Sequence, residues 1–416
     1  MTTITQLQPK IQTLFSTTAD RIAKECGFIQ RQRKMTGAQF LQGTVFGWLA
    51  HPSATRQQLH QALGQTGLRM SAQGFEQRFN ERAVTFLERM VGEALEVVFE
   101  SERLIPVLER FQGVYVTDCT RIEATLYPLK IAARLELQRG SLQLSLEDLT
   151  THDNATMVGD QPLPRGALHL GDLAFFDLER FAQWAQDGVE WVSRYRIGTC
   201  LYTLDQQPLE LETLLPQVAP TYALDVLVGQ VARLPMRLVA QRVSDATYRK
   251  RLHRLRQIAQ RKQQPLSSRQ QILARWTLYL TSMSDLNFDQ VHILIRARWQ
   301  IERLFKRWKS LGKLATASSR DPNRRACEMW AKLFAVLIAH WLTQLHAWSD
   351  PRLSYDKFFS AIQHAAVLIY FVCFQATDLL PLLDQLLDHL QASATLSHRR
   401  SLPNAIQLWQ SFDAFS

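Results

Sequence analysis

Apolar residues recur at three- and four-residue spacing over 6–26, 36–49, 55–64 and 71–100, which predicts a helical opening to the chain. Ser53 and Ser71 stand where helix N-caps are needed. The short helix at 55–64, the link to Ser71 and a second helix carrying Gln73, Gln77 and Arg78 allow a helix-turn-helix; a plain helical bundle fits the same pattern. The period then changes. VYVTDCTRIEATL (114–126) opens with a β-rich run, and KIAARLELQ (130–138) and SLQLSLEDL (141–149) alternate apolar with polar residues around an Arg139-Gly140 turn. A three-stranded antiparallel meander is expected, with Asp118 at the end of its first strand. ALHLGDLAFFDLERF (167–181) predicts a fourth strand that ends at Gly171-Asp172, then a helix. EWVSRYRIG (190–198), ALDVLVGQV, MRLVAQRV and ARWTLYLTSM (274–283) read as further strands, and the strand period of two puts Arg194 and Arg196 on one side. Apolar helices close the chain at 326–347 and 355–391, with Asp321-Pro322-Asn323 as the turn before them.

Composition narrows the class. A chain of 416 residues with 46% hydrophobic residues is folded and long enough for two to four modules. The formal charge is +10, which suits a polyanionic partner without telling DNA from RNA or an anionic membrane. The densest basic run is TYRKRLHRLRQIAQRKQQPLSSRQQILARW, which includes Arg254 and Lys262. It reads either as a solvated helix or as a contact to a nucleic-acid backbone. Arg31, Arg33 and Lys34 form a smaller basic cluster in a turn. Cys26, Cys119, Cys200, Cys327 and Cys373 make no Cys-x2-Cys pair and read as reduced thiols; Cys119, beside Asp118, reads as space-filling. The N-terminus has no basic stretch followed by an apolar run, so no signal peptide is expected. The most apolar stretch, 365–374, is about half a membrane span and reads as a buried helix.

The segment 291–310, VHILIRARWQIERLFKRWKS, contains no Pro or Gly and reads as one helix. With Arg298 at zero, the helical period puts Glu302 at about 40°, Phe305 at about −20° and Lys309 at about 20°. One narrow face therefore carries a carboxylate between two cations. Surface salt bridges of about 0.2–0.5 kcal/mol each would use the same spacing. Arg298-x3-Glu302-x6-Lys309 resembles the signature helix of bacterial insertion-sequence transposases of the insertion-sequence-four family, Tyr-x2-Arg-x3-Glu-x6-Lys. Ile295 departs from it where the family has Tyr, so a hydroxyl able to contact a phosphate is missing. The resemblance implies two earlier aspartates beside strands, and Asp118 and Asp172 fit.

What the resemblance implies is an α+β multidomain chain. An RNase H-like mixed-sheet catalytic core with a β-rich insertion would be flanked by N- and C-terminal helical regions. The boundaries are 1–105 for a helical DNA-binding region, 106–187 and 286–347 for the two parts of the core, 188–285 for the basic insertion and 348–416 for the C-terminal helices. Asp118, Asp172 and Glu302 would be a catalytic and metal-binding triad for Mg²⁺, with Mn²⁺ as substitute; Arg298 and Lys309 would hold the DNA end. Arg194, Arg196, Arg254 and Lys262 are further candidates for DNA contact. Glu123, Glu147, Asp148, Asp153, Asp177 and Glu179 compete as acids near the strands, Asp177 and Glu179 being expected to face solvent. The expected partners are terminal inverted repeats and target DNA as duplexes, plus a second copy in a synaptic dimer, with no membrane and a cytoplasmic, nucleoid-associated location. Trp191 and Trp276 are candidates to stack on a flipped base or to pack inside. An inactive DNA-binding relic and an RNase H-like nuclease are the rival readings.

Overall fold

Helices open the chain. The computed structural model describes residues 4–31, 35–97, 108, 110–123, 128–348, 350–374, 380–396, 407 and 409. Arg33, Lys34 and the expected element ends at 98–100 and 124–126 lie outside the described residues, as do 375–379 within the helix expected at 355–391. The first helices are α1 (Ile4–Thr13), α2 (Ala19–Glu25), α3 (Gly37–Ala50), α4 (Arg56–Gln65), α5 (Ala72–Glu76) and α6 (Glu81–Leu95). Next come β1 (Val114–Ile122), β2 (Leu129–Glu136), β3 (Leu142–Glu147), α7 (Met157–Asp160), β4 (Leu168–Gly171) and α8 (Leu178–Asp187). Then follow β5 (Glu190–Arg194), β6 (Leu201–Tyr202), α9 (Leu211–Leu214), β7 (Thr221–Val228), β8 (Leu234–Arg242), α10 (Asp245–Arg261), α11 (Ser268–Leu273) and β9 (Trp276–Thr281). The chain ends through α12 (Phe288–Ala297), α13 (Trp299–Ser310), α14 (Pro322–His346), α15 (Tyr355–Phe374) and α16 (Leu380–Ser393).

The strands hydrogen-bond in the order β3-β2-β1-β4-β5-β9-β8-β7-β6. β4 runs parallel to β1 and β5, while β5–β9, β9–β8, β8–β7, β7–β6 and β2–β3 are antiparallel. The sheet is mixed, and the strands expected within 188–285 continue it from β4. By internal contacts the chain divides into two units. The first comprises Met1–Ile105, Asp118–Gly159 and Gln300–Ile406, the second Pro106–Thr117, Asp160–Trp299 and Gln407–Ser416.

The first unit is built on α14. Nearly every described side chain of this 25-residue helix is buried, and it packs on α3, α6 and α15. The β2–β3 turn docks against the same region. Gly140 has φ +71°, and an added Cβ there would lie 2.4 Å from the Trp348 ring, so only glycine fits both the backbone and the space. The indole N–H of Trp348 donates to Leu137 O at 2.9 Å, and His340 Nε2 donates to Gly140 O at 2.9 Å. In the second unit Phe181 of α8 stacks on Trp191 of β5 with 5.3 Å between ring centroids, over a core that includes Leu238, Trp276 and Leu280. Burying each such large side chain contributes roughly 1.5–3 kcal/mol. Trp191 and Trp276 are therefore interior.

Several local expectations are corrected. Thr55, not Ser53, caps α4, because Gln58 three residues on completes a capping box with it. Ser71 does cap α5. The helix expected over 71–100 breaks at 77–80, since the Asn80 carboxamide accepts from the N–H groups of Arg82 and Ala83 and starts α6 anew. The second helix of the possible helix-turn-helix is thus only five residues long. Asp177 is not merely solvent-facing: it caps α8 through Glu179 N–H and Arg180 N–H. α15 buries one side only, leaving Leu368 and Phe371 exposed. By length and composition it is apolar enough to cross a membrane, which core helices of other proteins also are.

Candidate active site

Asp118 lies inside β1, not at its end. The run Cys119-Thr120-Arg121-Ile122 keeps strand character, so the strand continues four residues past the acid. Strand alternation puts Asp118 in the row of Val114, Val116, Thr120 and Ile122, all buried. A half-exposed carboxylate thus takes a place otherwise reserved for core. Its Oδ1 accepts from Cys119 N–H at 2.8 Å, which fixes the orientation of the group. The Cys119 thiol is pushed up to about 12, chiefly by burial and next by Asp153, so it stays protonated and inert at neutral pH, in keeping with a space-filling role.

The segment 291–310 is two helices. Arg298 N–H bonds to Ile295 O at 3.3 Å, a three-residue closure that tightens the chain between α12 and α13. Within α13, Glu302, Phe305, Lys306, Lys309 and Ser310 follow the i, i+3, i+4, i+7, i+8 pattern of one face. Together with Asp118 they line a cavity of about 470 Å³. Lys306 and Ser310 were not among the residues singled out from the sequence. The helical period puts Lys306 at about 80° on the scale used above, beside Glu302, so the signal was present.

The opposite face of α13 holds it in place. Ile301, Leu304 and Trp308 are buried, and the buried Arg307 pairs with Asp356 at 3.4 Å. The turn after α13 is clasped from α14. Lys332 Nζ donates to Thr316 O at 2.8 Å and pairs with Glu328 at 2.7 Å, and Glu328 accepts from Ser318 N–H and Oγ. Gly312 permits the approach, since an added Cβ would lie 2.5 Å from Val336 Cγ1. Glu302 is thereby fixed by packing rather than by helix propensity.

Asp172 follows β4 directly, as expected, and belongs to the second unit with Arg298. The Arg298 side chain is 4% exposed and pairs with Asp172 at 3.8 Å. Arg298, which the resemblance assigns to holding the DNA end, is a buried cation with a carboxylate partner. Ile295 is also buried, at 2% exposure, so the position where the signature has Tyr is a core position here. Arg194 ends β5 and is exposed; Arg196 is exposed beyond the strand, so the strand period does not relate the two. The basic run folds as α10 and α11, and α10 has no buried residue. Arg254 on α10 and Lys262 at its C-cap are exposed. Trp299, which the sequence reading passed over, is 54% exposed. Among the described residues no three His, Cys, Asp or Glu side chains are gathered closely enough to hold a metal ion. Carboxylate oxygens at half-exposed positions are nevertheless the donors that a hard divalent cation takes.

Residues 130–338, just over half of the chain, match the family described as Transposase DDE domain. The chain belongs to that family. Glu302 and Asp172 fall within the matched segment and Asp118 just before it. The chain is similar to the transposase for insertion sequence element IS231B of Bacillus thuringiensis subsp. berliner, 25% identical over 91% of this chain and 89% of the relative. The transposase for IS231F of subsp. israelensis matches at the same identity and coverage. The transposase for IS1151 of Clostridium perfringens is 22% identical over 77% of this chain and 76% of its own length. These likenesses put the chain among DDE transposases of the insertion-sequence-four-like kind.

Proposed function

We propose that this chain binds the terminal inverted repeats of its own insertion sequence, cuts DNA strands there and joins the freed ends to target DNA. The observation that carries the reading is the convergence of Asp118, Glu302, Lys306 and Lys309 on one cavity in a chain of the DDE family. Asp118, Asp172 and Glu302 would hold Mg²⁺, with Mn²⁺ as substitute. Val116 pairs with Leu170 in parallel β1 and β4, and in the chain Asp118 and Asp172 each follow two residues later. Glu302 follows Arg298, the partner of Asp172, by four residues. The competing acids are less apt, since Asp153 is engaged by the buried Lys130 at 2.6 Å and Asp177 caps a helix.

When bound, Mg²⁺ ions would favour deprotonation of the attacking hydroxyl or water and stabilise the departing 3′ oxygen. Lys306 and Lys309 supply point charges for the phosphates beside the cut. Arg298 orients Asp172 and keeps its carboxylate from turning away. The exposed Arg194, Arg196, Arg254 and Lys262 bind the backbone further along. The helices of 1–105 read the element's ends, the parts 106–187 and 286–347 form an RNase H-like core, and 188–285 is its basic insertion, with 348–416 completing the chain. The antiparallel β2–β3 pair after β1, followed by strand β4, Asp172 and helix α8, supports that core. Two copies act together, one per end.

The test is cleavage of a labelled duplex taken from the DNA that flanks the gene, with Mg²⁺ or EDTA. We expect metal-dependent nicks at the repeat's edge, lost by at least about a thousandfold in Glu302→Gln with repeat binding kept. Binding without cutting in Mg²⁺ or in Mn²⁺ would make the chain a relic; cutting without joining would make it a nuclease.

A further inference from the structure

A second cavity, of about 400 Å³, lies wholly within the second unit. Its floor is a cross-strand pair: Arg194 of β5 stands opposite Tyr279 of β9 in the antiparallel register. The Tyr279 hydroxyl is hydrogen-bonded to His292 Nδ1 of α12 at 2.8 Å. Arg251 reaches in from α10, anchored by Nη1 to Trp276 O at 2.7 Å and by Nη2 to Thr277 Oγ1 at 2.9 Å. Leu173, the residue after Asp172, and the exposed Ile197 complete the wall. Arg296 is exposed four residues beyond His292 on α12.

The charges here are unbalanced. Among the described residues no carboxylate is within ion-pair distance of Arg194, Arg251 or Arg296. Burial pushes Tyr279 up, against the pull of all three arginines, and burial with Arg296 and Arg194 pushes His292 down against Asp289. Three guanidinium groups thus bear on one hydrogen-bonded Tyr–His pair. Like charges held together beside half-buried donors are stabilised by an anion, and guanidinium suits phosphate.

We propose that this cavity seats a phosphodiester of the DNA strand that passes Asp172, held by Arg194 and Arg251 with Tyr279 and His292 as further donors. The proposal rests on the DNA-acting reading above. Leu173, the residue after Asp172 in the chain, lines the seat. Arg251 spends part of its hydrogen bonding on Trp276 and Thr277 and is pre-oriented; Arg194 carries no such anchor and closes on the ligand.

The experiment is fluorescence anisotropy with a labelled duplex of arbitrary sequence, in EDTA, across a salt series, for the full chain and its Arg194→Gln and Tyr279→Phe variants. Arg194→Gln is expected to weaken binding several-fold and to reduce the slope of log K against log salt by about 0.9, one phosphate contact on B-DNA. Tyr279→Phe is expected to weaken binding less and to leave the slope unchanged. Wild-type binding with an unaltered slope in Arg194→Gln overturns the seat while leaving the transposase reading in place; failure of the wild type to bind any duplex overturns both. Inorganic phosphate that shifts the His292 ring resonances, at matched ionic strength where DNA does not, would assign the seat to a free anion and contradict the proposal.

Discussion

At the scale of single residues, burial decides what a charge can do. Arg298 is covered and paired with Asp172, whereas Lys306 and Lys309 share a cavity with Glu302 and Asp118. Arg298→Ala is therefore expected to change the handling of Asp172 more than the grip on DNA. Cleavage should fall by at least about tenfold while duplex affinity stays within about twofold. Single-turnover cleavage and anisotropy on one preparation separate the two, and an equal loss in both would return Arg298 to DNA contact. His340 gives a pH signature. Full burial pushes it from its ordinary 6.5 to about 4, so it stays neutral in the fold and donates to Gly140 O. The unfolded chain takes up a proton near 6.5 and the folded one near 4. The His340 contribution to stability is therefore fully present above about pH 6.5 and is lost as pH drops toward 4, by about 3 kcal/mol in all. Urea unfolding across that window should show the fall, reduced in His340→Gln.

At the scale of elements, the site depends on how α13 is held. Glu328 and Lys332 are each 1% exposed, and together they clasp the turn that follows α13. Glu328→Gln leaves the Lys332 charge buried without its counter-ion and is expected to cost about 3–5 kcal/mol. Gly140→Ala forces an alanine to φ +71° and into the Trp348 ring, and is expected to cost roughly 2–4 kcal/mol. Denaturant midpoints check both, and a loss below about 1 kcal/mol in either would mean that the turn moves freely. The strands and helices around the acids were legible because their periods are local. Alternation gave β2 and β3, and the Gly171-Asp172 ending of β4 was read in place. What was not legible is non-local. A charge in sequence reads as surface, so the burial of Arg298 and the capture of Arg251 by Trp276 and Thr277 needed the tertiary contacts. The break at Arg298 lies in a segment of good helix formers and leaves no local sign. Thr55 and Lys306, by contrast, were available: the first from its capping box with Gln58, the second from its angle beside Glu302.

At the scale of the whole molecule, the charge of +10 becomes an arrangement. α10 offers an exposed basic surface, the Arg194 cavity offers a seat, and the Glu302 cavity offers acids flanked by lysines. Duplex binding is expected to weaken steeply with salt and to survive loss of the acids, since carboxylates repel the backbone and would hold the metal instead. In the proposed function Asp118, Asp172 and Glu302 serve one metal site. Mn²⁺ binding to the purified chain, followed by electron paramagnetic resonance, tests this without relying on cleavage. The wild type should bind Mn²⁺, and Asp118→Asn, Asp172→Asn and Glu302→Gln should each weaken that binding by at least about tenfold with the fold intact. Wild-type Mn²⁺ affinity in any one of the three variants would contradict the account and remove that acid from the site.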